Sequence, residues 1–489
     1  MQRKLSQFGS TFYITITLNV DGLPVHSSSS NSFWPILSIL DQSIDKEPII
    51  VGIYYGSSKP NDANDYLRPF VDECLHLEKH GLVVNGQHYN FRVSCIIADA
   101  PARSFLKSIK SFNSLYGCEK CEQEGTYLGR TVWLYTSDMR LRTDAGFSNQ
   151  LYGDEHQQSK SILSELDVGL ITQVPLDYMH LVCLGVVKKL IRCWLENGPK
   201  KCRMPASKIG EITEFSRRPR PINMFKYWKA TEFRAFILYL GPVVLRGVLS
   251  KTLYAHFLLL HCAIYILCTA NICKHDEWRQ YAGDLLHCFV LYMSDLYSNE
   301  FLVYNVHNLL HLADDAYNFG HLDNFSAFPF ENFMSKIKNM VRGHNMPLEQ
   351  VAKRMGENCN SEKKNITKRK PIKEQNGQIR KIHYNDYVIG TSQRDSCFVT
   401  SNGDIVIVKS IVETDVSSYT LRCNCFVNKT DFYKEPIHSS KLGIYMVSNC
   451  VQSVNLSPSD ISRKCLLLPS FNNDEQFICF PFVSMVLHH

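Results

Sequence analysis

Three carboxylates and two pairs of soft ligands stand out in this 489-residue chain as residues whose type and spacing could do chemistry. Asp21 follows a run, residues 11 to 20, in which Ile14, Ile16, Leu18 and Val20 alternate with Tyr13, Thr15, Thr17 and Asn19. Asp99 ends a second run of strand-forming residues, Phe91 to Asp99. If those strands pair in one sheet, their ends bring two carboxylates together, and hard cations such as Mg²⁺ or Mn²⁺ take carboxylate oxygens while keeping water positions open. Glu331, on a later amphipathic helix, is the candidate third acid of a two-metal site for phosphodiester chemistry. Each acid also has a purely structural explanation. Asp21-Gly22 is a turn pair, Asp99 before Ala-Pro is a helix N-cap, and Glu331 is a first-turn acid favoured by the helix dipole.

Cys118 and Cys121 form a Cys-x-x-Cys, and His307 and His311 lie one helical turn apart, as do His76 and His80. With 18 cysteines in the chain, chance alone supplies about 0.7 such cysteine pairs, so spacing by itself selects nothing. A zinc site needs tetrahedral thiolate and imidazole donors, here drawn from the two ends of a long helical block. His307-x-x-x-His311 is a poor metalloprotease centre because Asn308 stands where the general-base glutamate belongs. The chain has no Walker A loop, no Gly-x-Gly-x-x-Gly after a strand and no Gly-x-Ser-x-Gly elbow. Asp177 and His180 share a helix face and read as a structural pair. Arg217, Arg218 and Arg220 cluster in a proline-flanked turn, while Trp228, Lys229, Phe233 and Arg234 interleave aromatics with charge, a pattern that grips phosphate or stacks bases but equally opens a helix.

The elements that must hold these residues follow from periodicity. Strands are expected at 11–20, 33–40, 48–55 and 91–99, with a helix over 65–79 and another opened by Pro101. Residues from about 160 to 310 read as helical, 330–341 as a further amphipathic helix, and 383–489 as a small all-β domain of short alternating runs. The stretch Leu253 to Cys273 is apolar enough to raise a membrane span, but His256, His261 and Asn271 favour a buried helix and no membrane partner. A hydrophobic content of 45% excludes a disordered chain, and 18 cysteines in so long a chain fit a reduced, intracellular protein better than a secreted scaffold. The net charge of +6 identifies no partner, whereas the basic run from Lys363 to Lys373 fits phosphate contact, nuclear import or a solvated linker.

Several strings then occur in order: Val20-Asp-Gly-Leu-Pro-Val, Ser32-Phe-Trp-Pro-Ile-Leu, Asp99-Ala-Pro-Ala-Arg103, Tyr116-Gly-Cys-Glu-Lys-Cys121, Pro175-Leu-Asp-Tyr-Met-His180, Trp228-Lys-Ala-Thr-Glu-Phe-Arg234, Tyr304-Asn-Val-His-Asn-Leu-Leu-His311 and Phe325-Ser-Ala-Phe-Pro-Phe-Glu331. Together they resemble the transposases of CACTA-type (En/Spm, CMC superfamily) DNA transposons and proteins derived from them, over about residues 10 to 355. The catalytic subunit of the V(D)J recombinase is similar in arrangement. The resemblance implies an α/β, RNase H-like catalytic core interrupted by a large all-helical insertion. It also implies Asp21, Asp99 and Glu331 as the Mg²⁺-binding catalytic acids, and Cys118, Cys121, His307 and His311 as ligands of a structural Zn²⁺. His180 is a further site residue by the same resemblance.

On this reading residues 1–135 form the first part of the core, 136–311 the helical insertion, 312–355 the last core helix, 356–382 a basic linker and 383–489 the β domain. The expected function is a DDE-type transposase or recombinase that cuts and joins DNA in the nucleus as a homo-oligomer on double-stranded transposon ends. Arg103, Arg217, Arg218, Arg220, Lys229 and Arg234 are its candidate nucleic-acid contacts. Members of that family usually carry a longer region before the first catalytic strand, where this chain has about ten residues, so the expectation is either a shortened copy or DNA binding through the insertion and basic segments alone. The alternative is a domesticated, catalytically silent nuclear protein that binds DNA or proteins.

Overall fold

The computed structural model describes residues 12–25, 31–43, 46–204, 220–343, 345–360, 372–373, 378–384, 387–415, 418–470 and 473–483. Arg217, Arg218 and the basic residues from Lys363 to Lys370 lie outside them. The chain divides into two compact units: Met1–Arg203 with Phe225–Phe233 and Leu286–Ser361, and Met204–Met224 with Arg234–Leu285 and Glu362–His489. Residues 136–311, expected as one helical block, thus contribute to both.

The first unit is mixed α/β. Strand β1 (Tyr13–Val20) pairs antiparallel with β2 (Ser32–Leu40), which pairs antiparallel with β3 (Ile49–Gly56). Helix α1 (Ala63–His80) then crosses over to β4 (Gln87–Ile97), which lies parallel to β1 on its other side. A parallel neighbour requires such a crossover, because a hairpin can only reverse the chain. Helix α1 is capped where its sequence allows: the Asp62 carboxylate accepts from the amides of Asn64 and Asp65, and Gly81 ends it at φ 67°, a conformation that favours glycine. Leu67, Phe70 and Val71 of α1 share one core with Leu18, Val20, Phe91 and Val93 of the sheet and with Ala102 and Leu106 of α2 (Ala100–Leu106). Each such side chain contributes about 1.5–3 kcal/mol by leaving water. The alternation along β1 predicts a solvated polar face, yet Thr17 and Asn19 are buried too, so both faces are covered near the strand's end.

Helix dominates the middle of the chain, in shorter pieces than the periodicity suggests. The run 179–197, α3, passes through π-type turns at Met179–Val187 and Cys193–Asn197 and stops at Gly198, whose amide donates to the Cys193 carbonyl. Helix α5 (Phe328–Met340) carries Glu331. A further helix, Pro347–Asn360, continues past residue 356, where a linker was expected to begin.

In the second unit the C-terminal strands form a closed antiparallel ring. Cys397–Thr400 pairs with Ile405–Asp415, then Ser418–Asp431, Tyr445–Leu456, Asn473–Pro481 and Ile461–Ser470, which returns to Cys397–Thr400. The C-terminal β domain is therefore present, and closure removes the exposed edges of those strands. Helix α4 (Lys251–Cys268) belongs to the same unit. By length and composition it could cross a membrane, but most of it is buried inside the protein, with Tyr265 donating to the Pro481 carbonyl at 2.8 Å.

Candidate metal centres

The sheet register brings the first two acids together. Asn19 lies opposite Ile97 on the parallel strands β1 and β4, so Asp21 and Asp99, each two residues on, emerge at the same level of adjoining strand ends. Their ligand oxygens and one nitrogen of His180 all lie within 4.8 Å of one another. Both bland expectations also hold: Asp21 Oδ1 accepts from the Gly22 amide at 2.6 Å, and Asp99 Oδ1 accepts from the Ala102 amide at 2.8 Å as the N-cap of α2. Each bond orients its carboxylate while leaving the second oxygen outside it. Below Asp21, on the same face of β1, the buried Asn19 Oδ1 has no hydrogen-bond partner among the described residues.

Glu331, on α5, stands outside this group of mutually close ligand atoms and meets it through His180, with Oε1 3.9 Å from His180 Nε2. The residue that arranges both is Asp177, which is fully buried. Its carboxylate accepts from His180 Nδ1 at 2.7 Å, from the His180 amide at 3.0 Å and from the Ala327 amide at 2.8 Å, at the start of α5. Sequence reading found the pair Asp177–His180 but gave it a local helix role. Its second role, joining α3 to α5, depends on a residue 150 positions away and has no local signal.

Electrostatics mark this as a crowded anionic site. Burial, reinforced by Asp99 and Glu331, raises the Asp21 carboxyl to about 7 against the opposing His180 charge. Glu331 is likewise raised, by burial first and then by Asp177 and Asp99. Burial works against a charged His180, but the Asp177 hydrogen bond and the surrounding carboxylates raise it to about 9. Two carboxylates and an imidazole gathered in this way are a mixed oxygen–nitrogen donor set that could hold a metal ion.

A second cluster has the opposite chemistry. Cys118, Cys121, His307 and His311 are all buried, and their ligand atoms lie within 4.8 Å of one another. Cys121 Sγ is 3.5 Å from Cys118 Sγ and 3.3 Å from His307 Nε2, and Cys118 Sγ is 3.7 Å from His311 Nε2. A tetrahedron with metal–ligand bonds of about 2.0–2.3 Å has edges of about 3.3–3.8 Å, so the quartet can hold zinc with little movement. Burial opposes ionisation of Cys118, yet the Cys121 hydrogen bond and both imidazoles pull its thiol well below the ordinary value. The His307 ring stacks on Trp133, which fixes its orientation. His76 and His80 form an exposed pair on α1, away from any cysteine ligand set among the described residues.

The residues between the two cysteines anchor the loop. Glu119 receives Arg103 Nε at 2.5 Å, Lys107 Nζ at 3.1 Å and the Tyr304 hydroxyl at 2.8 Å, and Lys120 donates to Asp315 at 2.8 Å. These charges hold the Glu119 carboxyl down to about 2 despite its burial. Arg103 was expected to contact nucleic acid. Instead it is buried, committed to Glu119, the Ala98 carbonyl and Tyr304, and cannot reach a ligand. Trp228 is also buried, packed on Phe233, and is not free to stack a base. Of the remaining candidates Arg220 and Lys229 are exposed and Arg234 is partly buried.

Residues 363–482 match the family described as Domain of unknown function (DUF8592). No curated protein matches the chain. The matched segment covers the β-rich end of the second unit; it includes neither cluster described above, but it holds a third close group, the buried thiols of Cys397, Cys465 and Cys479.

Proposed function

We propose that the chain is a DDE-type DNA transposase or recombinase of the CACTA-like kind, with an RNase H-like core in which Asp21, Asp99 and Glu331 are the catalytic acids. The observation that carries this reading is the pairing of topology with acid placement. Three antiparallel strands are followed by a helix and a strand parallel to the first, Asp21 and Asp99 leave adjoining strand ends, and a helix from more than two hundred residues later brings a glutamate to the His180 that lies beside them. Mg²⁺ held by the three carboxylates would supply charge stabilisation for the attacking and leaving oxygens of a phosphodiester.

The chain's own residues provide the rest. Amides of Gly22 and Ala102 hold the aspartates in place. Asp177 keeps His180 turned toward Glu331, so an imidazolium balances the clustered carboxylates before a cation arrives. The zinc quartet fastens the loop after α2 to the segment that leads into α5, which fixes how Glu331 is returned. Purified full-length chain is expected to nick or join short duplexes only with Mg²⁺ or Mn²⁺, and Asp99→Asn is expected to remove at least about 10³-fold of that activity. Activity that survives this substitution would overturn the assignment; duplex binding without any cleavage would favour a silent, domesticated protein.

A further inference from the structure

The arginines picked from sequence leave open what holds a nucleic acid against the acids, and the structure offers a different set. A cavity of about 240 Å³ opens beside α3, lined by Arg130, Lys188, Lys189 and Arg192, with Glu300 as its one lining carboxylate and Phe301 as its aromatic wall. The volume is below the range of about 300–1,000 Å³ typical of drug-sized ligands, which suits a compact anion better than a flat base. The Lys189 ammonium stands over the Phe301 ring, 4.6 Å from its centre. Its partial burial, with Arg130 and Arg192 crowding it, pushes it down to about 8, so an anion entering here would relieve repulsion already present. Arg192 has a second carboxylate at 3.9 Å, Glu196, which Lys226 already engages at 2.7 Å.

Position gives the cavity its meaning. Leu184 and Lys188, both lining it, lie four and eight residues beyond His180 on the same helix. Eight residues would span about 12 Å as α-helix, and the π-type turns over Met179–Val187 shorten that to about 9–10 Å. That is the axial length of about three nucleotides of one strand. We infer that this cavity grips backbone phosphates of a DNA strand about three nucleotides from the phosphodiester presented to Asp21, Asp99 and Glu331. The inference rests on the DNA reading above and adds the place where the strand is held.

The test is duplex binding by the full-length chain in buffer without added divalent cation, followed by fluorescence anisotropy across a salt series. Lys188→Ala with Arg192→Ala is expected to weaken binding about tenfold or more and to lower the salt slope by about two. Glu300→Gln, which removes the lining carboxylate, is expected to tighten binding by about two- to fivefold, a gain that misfolding cannot produce. Unchanged affinity and slope in both cavity variants would overturn the inference. So would loss of inorganic pyrophosphate binding in Lys188→Ala with Arg192→Ala while duplex binding stays intact, because the cavity would then serve a small phosphate ligand. If the parent chain cuts no DNA yet shows the expected dependence on these residues, the catalytic reading falls and the phosphate grip stands.

Discussion

The two units are held together by different kinds of interior. In the first, buried charge is abundant: Arg103, Lys107 and Glu119 form one cluster, Lys120 and Asp315 another, and a thiol–imidazole quartet lies beside them. In the second, apolar side chains dominate, and Lys464, its single buried cation among the described residues, is paired to Asp395. Cys397, Cys465 and Cys479 sit on three adjacent strands of the ring among Ile405, Phe426 and Val447, and the buried His261 donates from Nδ1 to the Ile237 carbonyl while Nε2 accepts from the Tyr433 hydroxyl. Both units tie in a distant segment by directional contacts, but the first does so through buried charge and the second through a neutral imidazole and hydroxyls, across 172 and 216 positions.

Removing the quartet tests this contrast most severely. Cys118→Ser should abolish zinc binding, measured by elemental analysis of the purified chain, and cost on the order of 5 kcal/mol or more of stability in the first unit. Cys479→Ser should leave zinc content unchanged; a drop there instead would mean that the two sulfur clusters are alike. Ion pairs come next. Arg103→Met leaves Glu119 buried with less compensation and should cost about 3–5 kcal/mol in chemical denaturation. Lys464→Met in the second unit, whose partner Asp395 is more exposed, should cost distinctly less. Equal losses would remove the distinction.

The smallest effect is a pH dependence. Burial lowers His261 to about 4, with the Ile237 hydrogen bond opposing. The unfolded chain therefore takes up a proton below about 6.5 while the folded one stays neutral until about 4. Stability from this residue is complete above pH 6.5 and declines as the pH falls toward 4, by at most about 1.4 kcal/mol per unit. His261→Phe should flatten that part of the stability profile; an unaltered slope would show that the histidine is charged inside the fold.

Much of this was legible in the sequence because it was local. Alternation over 11–20, the apolar spacing of Leu67, Phe70 and Val71 and the Asp99-Ala-Pro start each describe a single element, and the structure holds them where expected. The candidate metal ligands were reachable through resemblance, since spacing alone could not choose between His307 with His311 and His76 with His80. Arg103 misled for a physical reason: a helix-opening arginine reads as exposed until its partner Glu119, sixteen residues on, is known to be buried with it. The basic cavity was missed because Arg130 and Phe301 join Lys188 and Lys189 only after folding. Nor could periodicity show that 234–285 groups with the β ring rather than with its neighbours in sequence.

The quartet joins cysteines and histidines 186 and 193 positions apart. Closing so long a loop is slow and entropically costly, and it comes late in assembly. A growing chain therefore exposes Asp21 and Asp99 well before Glu331 exists. Until the distant histidines are made and the clasp shuts, the carboxylates stay an incomplete set, so under the function proposed above the chain would emerge inert and be armed only after residue 331 had been synthesised.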